Sequence, residues 1–139
     1  MRRTARETAF KLIFEKSVSG SDAKLSYVVL TNSFSDDDRN YLDKIIAGVE
    51  KEREFLSTVI SKYATGFSLN RIYKIDLALL LVAGYEILFC DDVPEKVSVN
   101  EAVELAKIYS TDKSPAYING VLASIIANKK EIEDERNSD

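Results

Sequence analysis

Residues 75–89 read Ile75-Asp76-Leu77-Ala78-Leu79-Leu80-Leu81-Val82-Ala83-Gly84-Tyr85-Glu86-Ile87-Leu88-Phe89. Wound at 3.6 residues per turn, this stretch presents apolar side chains on every face. A helix of that kind is surrounded by other helices. It carries Asp76 and Glu86 and falls short of the roughly 20 apolar residues that a membrane span needs. Asp91-Asp92-Val93-Pro94 then ends it, because the residue before a proline is pushed out of the helical region.

Working outward, the flanking segments supply helices with one apolar face each. Residues 4–18 place Ala5, Ala9, Phe10, Leu12, Ile13 and Phe14 near a 3.6 period. Thr4 and Glu7 have capping-box spacing at its start. Ser19-Gly20-Ser21-Asp22 is a turn, and residues 23–30 fit a short helix. Ser35 before Asp36-Asp37-Asp38 reads as an N-cap followed by acids that suit the helix dipole. Three aspartates raise calcium, but the ligand spacing and glycine of an EF-hand loop are missing. The helix that follows buries Leu42, Ile45, Ile46 and Val49. The run Lys51-Glu52-Arg53-Glu54 breaks the stripe, and Phe55, Leu56, Val59, Ile60 and Tyr63 resume it, as one bent helix or two. Residues 65–70 form a loop. Ser98-Val99-Asn100-Glu101 has capping-box spacing and opens a helix through Tyr109. Ser114-Pro115 reads as a cap with proline at the first helical position, starting a last helix that runs to about Asn128. The fold expected is all-α: one compact bundle of six to eight helices over residues 1–130. Residues 131–139 are expected to be an acidic, disordered tail.

Composition narrows the function. The chain has 139 residues, 19 Lys+Arg against 23 Asp+Glu, no His, and one Cys. That length suits one domain. The absence of His removes the commonest general base and zinc ligand, and a single Cys excludes thiolate–imidazole metal sites. The lone Cys90 fits a reducing, cytoplasmic setting and is expected to pack as a small apolar side chain. Isolated glycines give no phosphate-cradling loop. Asp76 and Glu86 lie about 15 Å apart along their helix, too far to act as a catalytic carboxylate pair on one bond. Neither a catalytic residue, a metal site, a cofactor site nor a membrane anchor is expected. The two carboxylates are expected to meet solvent, a helix terminus or a partner protein.

The charge is uneven. Arg2, Arg3, Arg6 and Lys11 against Glu7 make the first eleven residues net +3, on a chain of net −4. Arginine forks suit phosphate oxygens. Near the last helix start, Tyr117 can stack a base while Lys113 meets a phosphate. A place for Tyr117 at the edge of the core is the competing reading.

Longer strings carry more information than composition. Arg2-Arg3-Thr4-Ala5-Arg6-Glu7 opens the chain, and residues 76–86 lead into Asp92-Val93-Pro94. Val97-Ser98-Val99-Asn100-Glu101-Ala102-Val103-Glu104-Leu105-Ala106-Lys107 follows, and then Tyr117-Ile118-Asn119-Gly120-Val121-Leu122. In this order and spacing the chain closely resembles the NusB family of transcription antitermination factors over nearly its whole length. The resemblance implies an all-helical RNA-binding adaptor. It would join the ribosomal protein NusE on the boxA element of nascent single-stranded RNA and act indirectly on the RNA polymerase elongation complex, notably on ribosomal RNA operons. It implies an RNA face of Arg2, Arg3, Arg6, Lys113, Ser114, Tyr117 and Asn119, with Gly120 beside them. It also implies a partner face at Asp76, extended to Tyr85 and Glu86.

If Arg2, Arg3, Arg6 and Lys113 each neutralise one phosphate, the log–log salt slope for single-stranded RNA is about −3. The chain departs from the family's pattern at Leu81, where Arg is usual, and at Tyr117, where Phe is usual. Two other readings stay open. One is a protein–protein scaffold or homodimer with weak RNA binding. The other is an accessory module of the kind that precedes the catalytic part of certain ribosomal-RNA cytosine methyltransferases, which the absence of a following α/β half disfavours.

Overall fold

The computed structural model describes residues 2–21, 23–66 and 71–138. Among these residues there are eight helices: α1 (Arg2–Ser19), α2 (Lys24–Leu30), α3 (Asp36–Lys51), α4 (Arg53–Tyr63), α5 (Lys74–Phe89), α6 (Glu95–Tyr109), α7 (Ser114–Ala127) and α8 (Lys129–Asn137). The apolar stretch 75–89 is α5, and it packs against α1, α3, α4, α6 and α7. Leu79, Leu80, Leu81 and Ile87 on it are fully buried. Each contributes roughly 1.5–3 kcal/mol by leaving water. Leu81 is therefore a core residue.

Side-chain pairings set the directions. Arg6 near the start of α1 meets Glu86 near the end of α5, while Lys74 at the start of α5 donates to the Ser17 carbonyl near the end of α1. The two helices run antiparallel. Ser110 after α6 and Ser114 at the start of α7 both reach Asp76. So α6 returns antiparallel to α5, and α7 runs parallel with it.

Helix boundaries follow local chemistry, with differences. Ser35 caps α3 by accepting from the Asp38 N–H at 3.1 Å. The charged run at 51–54 separates two helices, with Glu52 as the joint. Residues 67–70 of the expected loop, and Asp22 of the expected turn, lie outside the described residues. Neither capping box expected at Thr4 or Ser98 forms. α1 already begins at Arg2, and Glu7 instead accepts from the Tyr109 hydroxyl at 2.8 Å. α6 begins at Glu95, directly after Pro94, which leaves Ser98 inside the helix, and Glu101 turns to Arg3.

The Ser98 hydroxyl is buried with no hydrogen-bond partner among the described residues. An unsatisfied buried hydroxyl costs about 1–3 kcal/mol. Ser98→Ala is therefore expected to raise stability by about 1 kcal/mol, read as a higher urea midpoint at unchanged slope. A lower midpoint would mean that the hydroxyl holds an ordered water.

Residues 131–137, expected as a disordered tail, form most of α8. Ile132 is buried in the core, and Arg136 donates to both carboxylate oxygens of Glu52 at 3.1 Å. Ile132, the Arg136–Glu52 and Lys62–Glu135 ion pairs, and Arg136 over the Phe55 and Phe89 rings give this acidic segment a docked face, which counting charges does not reveal.

α3 meets α5 closely at Gly48. A Cβ there would overlap the Tyr85 ring, which is stacked on Phe89 with centroids 5.3 Å apart. Gly48→Ala gains about 1 kcal/mol of helix propensity but overpacks a fixed ring, which costs about 1–3 kcal/mol. A net loss is expected in urea unfolding, recovered when Tyr85→Leu is added. If Gly48→Ala alone left the midpoint in place, the ring would be free to move aside.

Candidate nucleic-acid interface

Two clusters at opposite ends of α5 hold the residues singled out in the sequence. The first lies where α5 begins. Asp76 is buried, and its two carboxylate oxygens accept from the Ser110 hydroxyl at 2.6 Å and the Ser114 hydroxyl at 2.9 Å. Ser114 in turn accepts from the Thr111 N–H at 3.3 Å. This network ties the α6–α7 turn to α5 and fixes the start of α7. Ser114 is thus a buried strut of that turn, placed at the first residue of α7 and not before it.

Around Asp76 opens a cleft of about 750 Å³ lined by Arg71, Tyr73, Lys113 and Tyr117 among others. Tyr117 is half-buried, and its phenol is pushed above the ordinary tyrosine value by burial and then by the Asp76 charge. Lys113 and Tyr73 are exposed. Two cations and two aromatic rings around one cleft can hold phosphate while stacking unpaired bases. Arg71 and Tyr73 did not figure in the sequence reading. Their signal was present in Arg71-Ile72-Tyr73-Lys74, where basic and aromatic residues interleave. Asn119 is exposed but lies two positions after Tyr117, about 200° around α7, and so turns away from the cleft. Gly120 beside it meets nothing that a Cβ would strike.

The second cluster is the start of α1. Arg3 is exposed and grips Glu101 with two nitrogens at 3.0 Å. Arg2 lies 3.4 Å from Asp92, with its guanidinium 4.5 Å from the Tyr41 ring centroid. Surface pairs of this kind contribute about 0–1 kcal/mol, so both arginines can exchange their carboxylates for phosphates.

Arg6 differs. It is only 6% exposed and donates from Nε to the Glu86 oxygens at 2.8 and 3.0 Å, with Glu86 at 1% exposure. The Tyr41 hydroxyl also donates to Glu86. Burial draws the Arg6 proton affinity down, and the Glu86 charge and hydrogen bonds more than restore it, so Arg6 stays charged. The Tyr41 phenol is raised well above its ordinary value by burial and then by bonding to Glu86. The structure therefore moves Arg6 and Glu86 from the RNA and partner faces into the core. On α1, Arg6 is one turn further along than Arg2 and Arg3, and its side chain turns inward onto α5. Tyr85 is half-buried, with its ring packed between Gly48 and Phe89.

These features define an all-helical protein with a cleft lined by cations and aromatics and a pair of exposed arginines at the start of α1; the described residues hold no cluster that could bind a metal ion. No helix among them is long and apolar enough to cross a membrane. Comparison with known proteins supplies the rest. The NusB family model matches residues 3–127, and the chain belongs to the NusB family. The transcription antitermination protein NusB of Clostridium novyi is 43% identical over 132 residues, covering 90% of this chain and 97% of that protein. The Listeria monocytogenes (serotype 4a) protein of the same name is 37% identical over 129 residues, covering 93% and 98%. The solved structure of T. maritima NusB superposes with a TM-score of 0.87 at 29% identity, covering 96% of this chain and 97% of that one. A structure of NusB and NusE in complex with double-stranded RNA superposes at 0.82 over 91% of this chain and 96% of that one, and at 22% identity it speaks for the fold alone.

Proposed function

We propose that this chain is a non-catalytic transcription antitermination factor. In the cytoplasm it holds boxA-type single-stranded RNA together with ribosomal protein NusE and so supports the elongation complex on ribosomal RNA operons. The observation that carries this reading is family membership across residues 3–127. The curated relatives are named for antitermination, and a NusB of the same fold has been solved with NusE and double-stranded RNA. The two clusters supply the chemistry. Arg2 and Arg3 serve the phosphate backbone at one end, and the Lys113–Tyr117 cleft takes bases at the other. They lie beyond opposite ends of the Asp76–Phe89 stretch of α5, about 20 Å apart along its axis, so the strand runs along the bundle. Asp76 acts by setting the α6–α7 turn, and the protein partner meets the rim of the same cleft.

With Arg6 internal, Arg2, Arg3 and Lys113 remain as phosphate contacts, and the salt slope expected for the chain alone falls to about −2. Fluorescence anisotropy of a labelled boxA RNA and a scrambled RNA, in a salt series with and without purified NusE, tests the reading. Selective binding that tightens with NusE is expected. Equal weak binding to both RNAs, unchanged by NusE, would leave the scaffold or homodimer reading in its place.

A further inference from the structure

α2 is anomalous among the eight helices. Five of its seven residues are apolar or aromatic, yet none is buried. Tyr27 and Leu30 pack against the body. Leu25, Val28 and Val29 fall on one outward face at i, i+3 and i+4, and are 77%, 64% and 65% exposed. Beside them a groove of about 730 Å³ runs between α1, α2 and α3, with Leu12, Ile13, Ile46 and Val49 along its floor. An uncovered apolar helix face next to an apolar groove marks an interaction surface.

The charges at the rim choose the occupant. Lys16, Lys24 and Arg53 border the groove, with Glu50 as its one carboxylate, and Glu50 is bound to Lys16 at 2.6 Å. Lys24 and Arg53 have no ion-pair partner among the described residues, and Arg53 reaches only the Ser17 hydroxyl. The flanking acids are occupied: Glu15 accepts from Ser26 at 2.7 Å and Asp43 from Tyr27 at 2.6 Å. A second copy across a two-fold axis would present the same rim, whose one carboxylate, Glu50, is already bound to Lys16, and so would bring no counter-charge to Lys24 and Arg53. An RNA strand needs ring faces on which to stack, and the lining is aliphatic apart from Tyr27.

We propose that the α1–α2–α3 groove is the docking site for an acidic amphipathic helix of a protein partner. The apolar stripe of that helix lies on Val28, Ile46 and Val49, and its carboxylates reach Lys24 and Arg53. This is the groove mode of helix recognition, with anchors one helical turn apart. None of these residues belongs to the two clusters assigned to RNA, so the groove is independent of that reading.

The test uses the full chain, labelled with 15N, and a designed helical peptide with Leu at i, i+3 and i+4 positions and Glu elsewhere. A second peptide carries Lys in place of every Glu. The acidic peptide is expected to bind at least tenfold more tightly, to weaken with salt, and to shift the amides of residues 23–28 and 46–49. Val28→Asp, and separately Lys24→Glu with Arg53→Glu, should each reduce its affinity tenfold or more. Val28 and Lys24 are exposed and Arg53 is half-buried, and circular dichroism checks that the variants stay folded. Equal affinity for the two peptides, or shifts confined to the Tyr117 cleft, would overturn the proposal. So would self-association of the chain abolished by Val28→Asp, because the occupant would then be a second copy.

Discussion

Replacing Arg6 by Ala is expected to cost about 3–5 kcal/mol of folding stability, because it strands a buried carboxylate. Glu86 would keep only the Tyr41 hydroxyl, in a site with almost no solvent contact. Domains of this size hold about 5–15 kcal/mol in all, so the loss is a large part of the total. It should show as a lower urea midpoint with an unchanged slope. Arg3→Ala, at an exposed pair, should change stability by less than about 1 kcal/mol. Exchanging both buried partners, Arg6→Met with Glu86→Leu, should restore part of the loss, since apolar replacements of similar volume remove the desolvation penalty as well, while the buried Tyr41 hydroxyl loses its acceptor.

The same double variant decides what Arg6 does. If its role is internal, the folded double variant binds boxA RNA as the wild type does. A loss of RNA binding as large as that of Arg3→Ala would put the Arg6 guanidinium on the strand after all.

How far each residue's role was legible in the sequence depended on what surrounds it. The all-apolar face of α5 announced its own burial, and Ser35 announced the start of α3. Both signals are local: one is periodicity, the other a side chain bonding three residues on. Arg6 could not be read this way. Its helix position resembles that of Arg2 and Arg3, and its partner lies 80 residues along the chain. A basic run shows how much charge a segment carries, but not which side chain turns inward. The Ser98–Glu101 spacing misled for a related reason, since Pro94 had already opened the helix and Glu101 found Arg3 across the bundle. Asp76 fell between these cases. Its place at a helix start was plain, but the two serines that enclose it come from a turn 34 and 38 residues away. The α8 segment shows the opposite failure. Acidic composition argued for solvation, while Ile132 and the contacts of Arg136 with Glu52 and two aromatic rings dock it.

Tyr117→Ala is expected to weaken boxA binding by tenfold to a hundredfold, because a base stacked on an aromatic ring contributes about 1–3 kcal/mol. Scrambled RNA should lose less, since Lys113 and the α1 arginines still hold its phosphates. Tyr117→Phe keeps the ring and the packing of α7 and should bind nearly as the wild type does, which also controls for lost burial in the Ala variant. Lys113→Ala makes the contrast. It removes a phosphate contact, so both RNAs should weaken alike and the log–log salt slope should become shallower by about 0.7. Equal losses for both RNAs in Tyr117→Ala would show that the ring supports the cleft without reading a base. A Phe variant as weak as the Ala variant would assign the effect to the phenol oxygen near Asp76 and not to stacking.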